Sequence, residues 1–470
     1  MSGAMLCLGL LLPWFVGMTT LVALSGKRPQ TAPGELAWIA GAGYLFGAFV
    51  LTLWMRVLSL AGVGFGVVTI GASLLALAVA FGCVAWRRAG IALRQALSGA
   101  GRALVSPSGP NAVARWAWRG LLLWIVLRFV LLALEVSWQP LYPWNVWTQW
   151  ATKARVWFEL GRIVPFAGSE AWYTADGVYF DAAPGNPPML PLLQVWACIA
   201  LGRWDDALMN WPWWQIAVAL AFAVYGAMRA LDLPALAALA VTFLVASLPL
   251  ANVHVALAGY ADLPLAACYA CAALALLRFH AMHDYRDAGL VAMFALACTQ
   301  IRSPGLGWAA TLVPGVIAAL FPRRGVKLTM IVLAAIWFLL AVLAQSNLRL
   351  LGYSLHLAFD PAWPALLDSY FLLGSWNLLW YGALAVIVVA WRDLASPALA
   401  PLTLIVAAGA TLLFVIVAFP DVRATITGET SINRASLQFA PLVVVYMALA
   451  FRAMALRYAR SPLVSEMSGG

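Results

Sequence analysis

Residues 117–157 read AWRGLLLWIVLRFVLLALEVSWQPLYPWNVWTQWATKARVW. The first half is an apolar run to about Ser137, interrupted by Arg128 and Glu135. At about 1.5 Å rise per residue, a helix of that length matches a hydrocarbon core roughly 30 Å thick. The second half turns aromatic and polar: Trp144, Trp147, Trp150 and Trp157 are interleaved with Asn145, Gln149, Lys153 and Arg155. A span that runs out into a Trp-rich, cationic helix is the pattern of a bilayer interface.

The rest of the chain repeats that first half. Of 470 residues, 64% are hydrophobic and 10% charged, where soluble domains carry roughly 25% charged residues. Alternating strands of about ten residues, which a barrel needs, are missing. The fold expected is an all-α polytopic membrane protein of about thirteen transmembrane helices. Their approximate cores are 4–24, 35–55, 60–85, 117–137, 209–229, 234–253, 262–279, 288–300, 305–321, 328–346, 373–391, 398–419 and 436–453. The first run, Met5 to Leu24, has no basic segment before it and reads as a retained span rather than a cleaved signal.

The formal charge of +10 does not point to nucleic acid. Its cations cluster in short loops: Lys27 and Arg28; Arg87, Arg88, Arg94 and Arg102; Arg115 and Arg119; Arg323, Arg324 and Lys327; Arg452, Arg457 and Arg460. Placing these loops in the cytoplasm by the positive-inside bias puts the N-terminus outside and the C-terminus inside. Two outer segments are then long, 138–206 and 346–369, and a shorter one runs from Asp421 to Arg434. Within the first, Met189–Leu201 is apolar but short for a span and reads as a helix lying at the interface. The linker 87–115 is the clearest module boundary, dividing the chain into 1–115, a core at 116–346 and a C-terminal module at 347–470. Gly43-xxx-Gly47 and Gly62-x-Gly-x-Gly66 read as close helix packing, and Cys268-x-x-Cys271 as two residues on one helix face.

The polar residues that could carry chemistry concentrate on the outer side. In the Trp144–Trp157 segment, Trp147, Trp150, Ala154 and Trp157 form one apolar stripe at helical spacing, a headgroup-level belt. Lys153 is one of three lysines in the chain, and the others lie in the cytoplasmic clusters. A lone outer Lys one turn from Gln149 suits a phosphate at the membrane surface. Asp262 opens a span in Gly259-Tyr260-Ala261-Asp262-Leu263-Pro264, where it reads as an N-cap or as a functional carboxylate. His254 precedes it by eight residues, and these two alone do not make a metal site. Asp181 stands before Pro184-Gly185-Asn186-Pro187-Pro188. Arg302 breaks an apolar hairpin in Gln300-Ile301-Arg302-Ser303-Pro304-Gly305, and such intramembrane charges are usually functional. Neither a Gly-rich phosphate loop nor a zinc-protease helix motif occurs.

The order of these motifs is similar to bacterial GT-C glycosyltransferases. It is similar in particular to the dolichyl-phosphate-mannose-protein mannosyltransferase-like and aminoarabinose-transferase-like branch. The likeness covers residues 116–346, with Thr430-Ser431-Ile432-Asn433-Arg434 as a further motif. It implies a GT-C-like bundle in the bacterial cytoplasmic (inner) membrane, with interfacial helices in a periplasmic first loop. The activity implied is transfer of a sugar from a polyprenyl-phosphate donor to a periplasmic glycan, lipid or protein acceptor, with inversion. The family usually carries Trp-Asp where this chain has Trp144-Asn145, that Asp being the base. It often carries Lys-Asn-Glu-Gly where this chain has Arg302-Ser303-Pro304-Gly305.

Sugar transfer from a lipid phosphate needs cations for the leaving phosphate and a base for the attacking hydroxyl. Lys153, Arg155, Arg302 and Arg434 are the expected phosphate ligands. Asp262 is the first choice for the base and Asp181 the second, while Asn145 holds the family's catalytic position. Trp144, Trp147, Gln149, His254, Tyr260 and Asn433 are the expected sugar or acceptor contacts. No cofactor is called for, and a divalent metal is left open. Membrane lipids are partners; nucleic acid is not. Two other readings compete: a catalytically silenced relative that binds the lipid donor, favoured by Asn145, and a lipid-linked sugar flippase, favoured by Arg128.

Overall fold

A computed structural model describes residues 2–24, 31–105, 111–174, 176–344, 346–350, 353–357, 359–361, 363–419 and 432–459. Asp421, Arg423, Glu429, Thr430 and Ser431 of the expected outer loop lie outside these residues, as do Lys27, Arg28 and Arg460.

The described chain is helical apart from two small two-stranded sheets, Phe166–Ala167 beside Tyr179–Phe180 and Ser346–Leu350 antiparallel to Tyr353–Leu357. Among the described residues, eight helices are long and apolar enough to cross a bilayer, or nine if one bent pair is a single span. They are Gly3–Ala23, Glu35–Leu60, Val67–Gly101, Ala112–Trp138, Asp262–Met282, Arg324–Leu343, Ala400–Ala418 and Ala440–Ala459. The bent pair is Ala235–Ala246 and Pro249–Ala256. The other expected spans coincide with helices that are shorter, broken or less apolar, including Tyr285–Ile301, Gly305–Thr311 with Val313–Leu320, and Leu379–Ala390.

Asp262–Met282 is the central helix, 78% of its apolar window lying inside the protein, against 6% for the peripheral Arg324–Leu343. Its neighbours include Trp211–Ala230 and Tyr285–Ile301. The first two helices are part of this core rather than a separate module. Helix Glu35–Leu60 crosses helix Ser2–Ala23 with Gly43 against Gly17 and Gly47 against Pro13, and crosses Trp211–Ala230 with Gly41 against Ala219. At Gly17, Gly41 and Gly47 a Cβ would collide with the facing main chain, and at Gly43 it would be tight against Met18, so the backbones meet at these glycines. The Gly62–Gly66 run instead forms the turn after Leu60, with Gly62 at φ +72° and nothing packed on it.

Helix Met189–Leu201 corrects the interfacial reading. Each of its thirteen residues is buried. Trp196 Nε1 donates to the Gly9 carbonyl at 2.9 Å, and Gln194 Nε2 donates to Asn210 Oδ1 at 3.0 Å. Protein, not headgroups, encloses it, which accounts for an apolar helix too short to span.

The bend in the broken pair follows from Leu248-Pro249. The residue before a proline is pushed out of the helical region, here to ψ 117°, and the two halves meet at 60°. Asn252 Nδ2 donates to the carbonyls of Ala246 and Leu248 at 3.0 and 2.9 Å, bonding main-chain acceptors on both sides of the break; the Leu248 carbonyl also takes the Asn252 amide. Its Oδ1 accepts from Arg128 Nε at 3.2 Å. The second half carries His254.

Candidate functional site

Five segments converge at the end of the bundle that bears the Trp-rich segment. Asp262 is the first residue of the central helix, and Ala261 rather than Asp262 is its N-cap, so the carboxylate does not cap the helix. It is fully buried. Arg302 Nη1 donates to Oδ1 at 3.0 Å and Gln438 Nε2 to the same oxygen at 2.7 Å. Arg434 Nε donates to Oδ2 at 2.7 Å. A carboxylate taking three such bonds, two of them from guanidiniums, is held as an anion and is a poor base. This corrects the expectation that Asp262 abstracts the proton: it sets the position of two cations.

Each partner has a local reason to be there. Arg302 is the C-cap of Tyr285–Ile301 in extended conformation, φ −159° and ψ 155°, just before Pro304 ends that path. Arg434 lies on the short helix Ile432–Leu437, and Gln438 follows it. Trp308 Nε1 donates to Gln438 Oε1, which fixes the amide so that its nitrogen faces Asp262. Tyr260 lies under the Arg434 guanidinium, 4.4 Å from its ring centre, a cation–π contact. Its backbone carbonyl accepts from Trp213 Nε1 at 2.7 Å.

His254 completes the group. Its Nδ1 lies 2.8 Å from the Leu250 carbonyl and therefore carries the hydrogen. Nε2 is left with its lone pair, buried, without a hydrogen-bond donor, and 3.7 Å from Asp262 Oδ2. The ring sits 5.1 Å from that of Tyr260, which thus covers both His254 and Arg434. Among the described residues, no group of three His, Cys, Asp or Glu side chains is placed to hold a metal ion.

The Trp-rich segment approaches this group through Val146, which packs directly on Gly259 at φ +110°. A Cβ there would overlap the Val146 side chain, so Gly259 allows the contact. Half-buried Asn145 precedes Val146 on that turn. The helix contains a π-helical turn over Trp147–Ala151, whose extra residue shifts the register. The stripe consequently differs from straight helical spacing: Trp150, Ala151, Ala154 and Trp157 are buried, while Trp144 and Trp147 are 77% and 55% exposed. Those two indoles remain open for stacking. Gln149 accepts from Asn186 Nδ2 at 3.3 Å.

Lys153 and Asp181 depart from their expected roles. Lys153 is buried, with Nζ 2.8 Å from Asp181 Oδ2 and donating to the carbonyls of Ala183, Pro184 and Asn186 at 3.0–3.2 Å. Asp181 is fully buried as its partner and also accepts from the Ala183 amide at 2.8 Å. The pair ties the proline loop to the Trp-rich helix; its ammonium is not offered to a phosphate, nor its carboxylate to a hydroxyl. Arg155 is exposed, pairs with Glu159 at 2.8 Å and lies over Trp204 at 5.0 Å. Asn433 Oδ1 accepts from Trp376 Nε1 at 2.9 Å and from Ser369, fastening the Arg434 helix to the 368–376 segment.

Sequence reasoning missed Gln438, Asn252 and Arg56. The last reaches Gln300 Oε1 at 2.7 Å, two residues before Arg302. It also missed the group at the opposite end of the central helix. There, fully buried Arg278 bonds Glu35 at 2.9 Å and Asp287 at 3.2 Å, and Arg286 bonds the other oxygen of Glu35. Charges inside apolar helices were the available signal.

No family model, curated protein or solved structure matches this chain.

Proposed function

We propose that the chain is a membrane glycosyltransferase of GT-C type, using a polyprenyl-phosphate sugar donor and an acceptor outside the cytoplasm. In this reading the expected spans together make about thirteen membrane crossings, the basic loops face the cytoplasm and the Asp262 group opens to the periplasm of a bacterial inner membrane. The observation that carries it is the pairing of Arg302 and Arg434 on one buried carboxylate. Each keeps guanidinium N–H groups beyond the single one given to Asp262, and the two side chains are 15% and 14% exposed. Two pre-set guanidiniums suit a phosphate that gains charge as its ester bond breaks.

The chemistry divides among these residues. An acceptor hydroxyl attacks the anomeric carbon from the face opposite the phosphate. The C–O bond to the phosphate breaks, and polyprenyl phosphate leaves onto Arg302 and Arg434. The hydroxyl proton passes to Nε2 of His254, whose tautomer is fixed with that lone pair free. Asp262 is a positioning residue for both cations and balances the imidazolium that forms. Asn145, which lacks a basic oxygen pair, orients a sugar hydroxyl through its amide, and Trp144 and Trp147 supply stacking faces. Tyr260 must swing aside to admit the donor.

Radiolabelled polyprenyl-phosphate sugars, given with a membrane-lipid extract to the chain in lipid nanodiscs, test this reading. Label should move from donor to acceptor in the native chain and stay on the donor with His254→Phe. A native chain that binds donor without transferring label, and gains transfer with Asn145→Asp, is the silenced relative instead. The Asn at the family's base position is what favours that second reading.

A further inference from the structure

The opposite end of the central helix carries a second built site, unrelated to sugar transfer. Arg278 lies sixteen residues beyond Asp262, about 24 Å along the helix, and its group ties together the helices that begin at Ser2, Glu35, Asp262 and Tyr285. Arg286 reaches Glu35 and, at 3.5 Å, the Leu21 carbonyl. Asp284 caps the helix it precedes, Oδ1 accepting from the Arg286 amide at 3.0 Å.

Beside this group is a groove of about 490 Å³, within the range of roughly 300–1,000 Å³ usual for small-molecule sites. Its walls are Leu21, Phe46, Gly289 and Leu290, and its polar mouth holds His283, Asp284 and Arg286. Phe46 lies eleven residues, about 16 Å, along its helix from Glu35. Two polar atoms at the mouth have no hydrogen-bond partner although their side chains are 4% and 3% exposed: Asp284 Oδ2 and Arg286 Nε. Arg286 Nη2 lies 3.8 Å from Asp284 Oδ2, beyond bonding distance. One is an acceptor with charge −1, the other a donor with charge +1. Among the described residues, the carboxylates of Glu35, Asp284 and Asp287 lie against the guanidiniums of Arg278 and Arg286.

We propose that this groove binds a phospholipid with a phosphoethanolamine headgroup. Its ammonium donates to Asp284 Oδ2, its phosphate accepts from Arg286 Nε, and one acyl chain lies along Leu21, Phe46 and Leu290. A primary ammonium supplies the N–H groups that Asp284 lacks; a trimethylammonium cannot, and a glycerol headgroup carries no cation.

Native mass spectrometry of the delipidated full chain tests the site. Phosphatidylethanolamine, phosphatidylglycerol and phosphatidylcholine of matched chains are added separately, with glycerophosphoethanolamine as the chainless competitor. One phosphatidylethanolamine should bind at least about tenfold more tightly than either other lipid, and the chainless competitor should not displace it. Asp284→Asn keeps the side-chain oxygen that caps Arg286 but loses the charge. Gly289→Trp fills the groove from a position where no atom lies within 4 Å of the added Cβ. Each should weaken phosphatidylethanolamine by about tenfold or more while its thermal unfolding matches the native chain. Equal binding of the three lipids, displacement by the chainless headgroup, or native-like affinity in both folded variants would overturn the assignment. Since the readout is lipid binding, it is independent of whether the chain transfers sugar.

Discussion

Arg434 Nε and Asp262 Oδ2 meet at 2.7 Å across 172 positions of chain. Arg302 meets the other oxygen from 40 positions away. A single carboxylate therefore fastens three remote segments and holds two cations whose mutual repulsion would otherwise part them. Removing it leaves buried guanidiniums without a counter-charge, a loss of about 3–5 kcal/mol. Asp262→Ala should lower the thermal unfolding temperature sharply. The double variant Asp262→Ala with Arg434→Ala should cost less than the sum of the single changes, because the Asp262–Arg434 interaction is then lost once rather than counted twice, and Arg434 no longer remains as an unpaired charge. Additive losses would show that the two residues are not coupled.

His254→Phe keeps a flat ring in the same volume and removes the free Nε2. Sugar transfer should fall by about 10²–10⁴-fold, the usual range for a general base, with donor affinity unchanged. A single-turnover assay separates the two. A variant that transfers at the native rate would return the search for the base to other residues.

Arg302→Lys keeps the charge but replaces a planar fork by a point charge. Oδ1 of Asp262 retains its Gln438 bond, so the fold should hold. The KM for the lipid-phosphate donor should rise by about tenfold, or about 1.4 kcal/mol of lost binding, and Arg302→Ala should raise it further. Steady-state kinetics with varied donor reads this directly.

Lys153→Met and Asp181→Asn should act on the loop and not on the donor. Each leaves a buried charge unpaired, at a cost of about 3–5 kcal/mol. Limited proteolysis should then cleave the 166–188 loop faster, while the folded fraction keeps the native donor KM. A selective rise in donor KM would restore Lys153 as a phosphate ligand.

The fold class was legible because hydrophobic runs of bilayer length can be counted from letters. The placement of short elements was not. Met189–Leu201 has the composition of an interfacial helix and is buried, because its environment is set by helices remote in sequence, such as the one carrying Gly9. The break at Pro249 could have been read, and with it the turn that brings His254 to Asp262. Within the site, Arg302 was found as a charge breaking an apolar hairpin, Asp262 as a carboxylate at the outer start of a span, and Arg434 through the Thr430–Arg434 motif of the resemblance. Their mutual contacts depend on the helix pairing of the bundle, which spacing does not encode. Lys153 was misread for a related reason: its rarity was visible, but the loop of carbonyls and Asp181 around it was not. Gln438 gave no signal, being an ordinary amide at a helix junction.

Binding of polyprenyl phosphate, compared with the uncharged polyprenol of the same chain length, addresses the Arg302–Arg434 pair most directly. The native chain should bind the phosphate at least about tenfold more tightly than the alcohol, and that preference should vanish in the double variant Arg302→Ala with Arg434→Ala. Equal affinity for phosphate and alcohol, or a preference that survives in the folded double variant, would contradict a lipid-phosphate seat at Asp262.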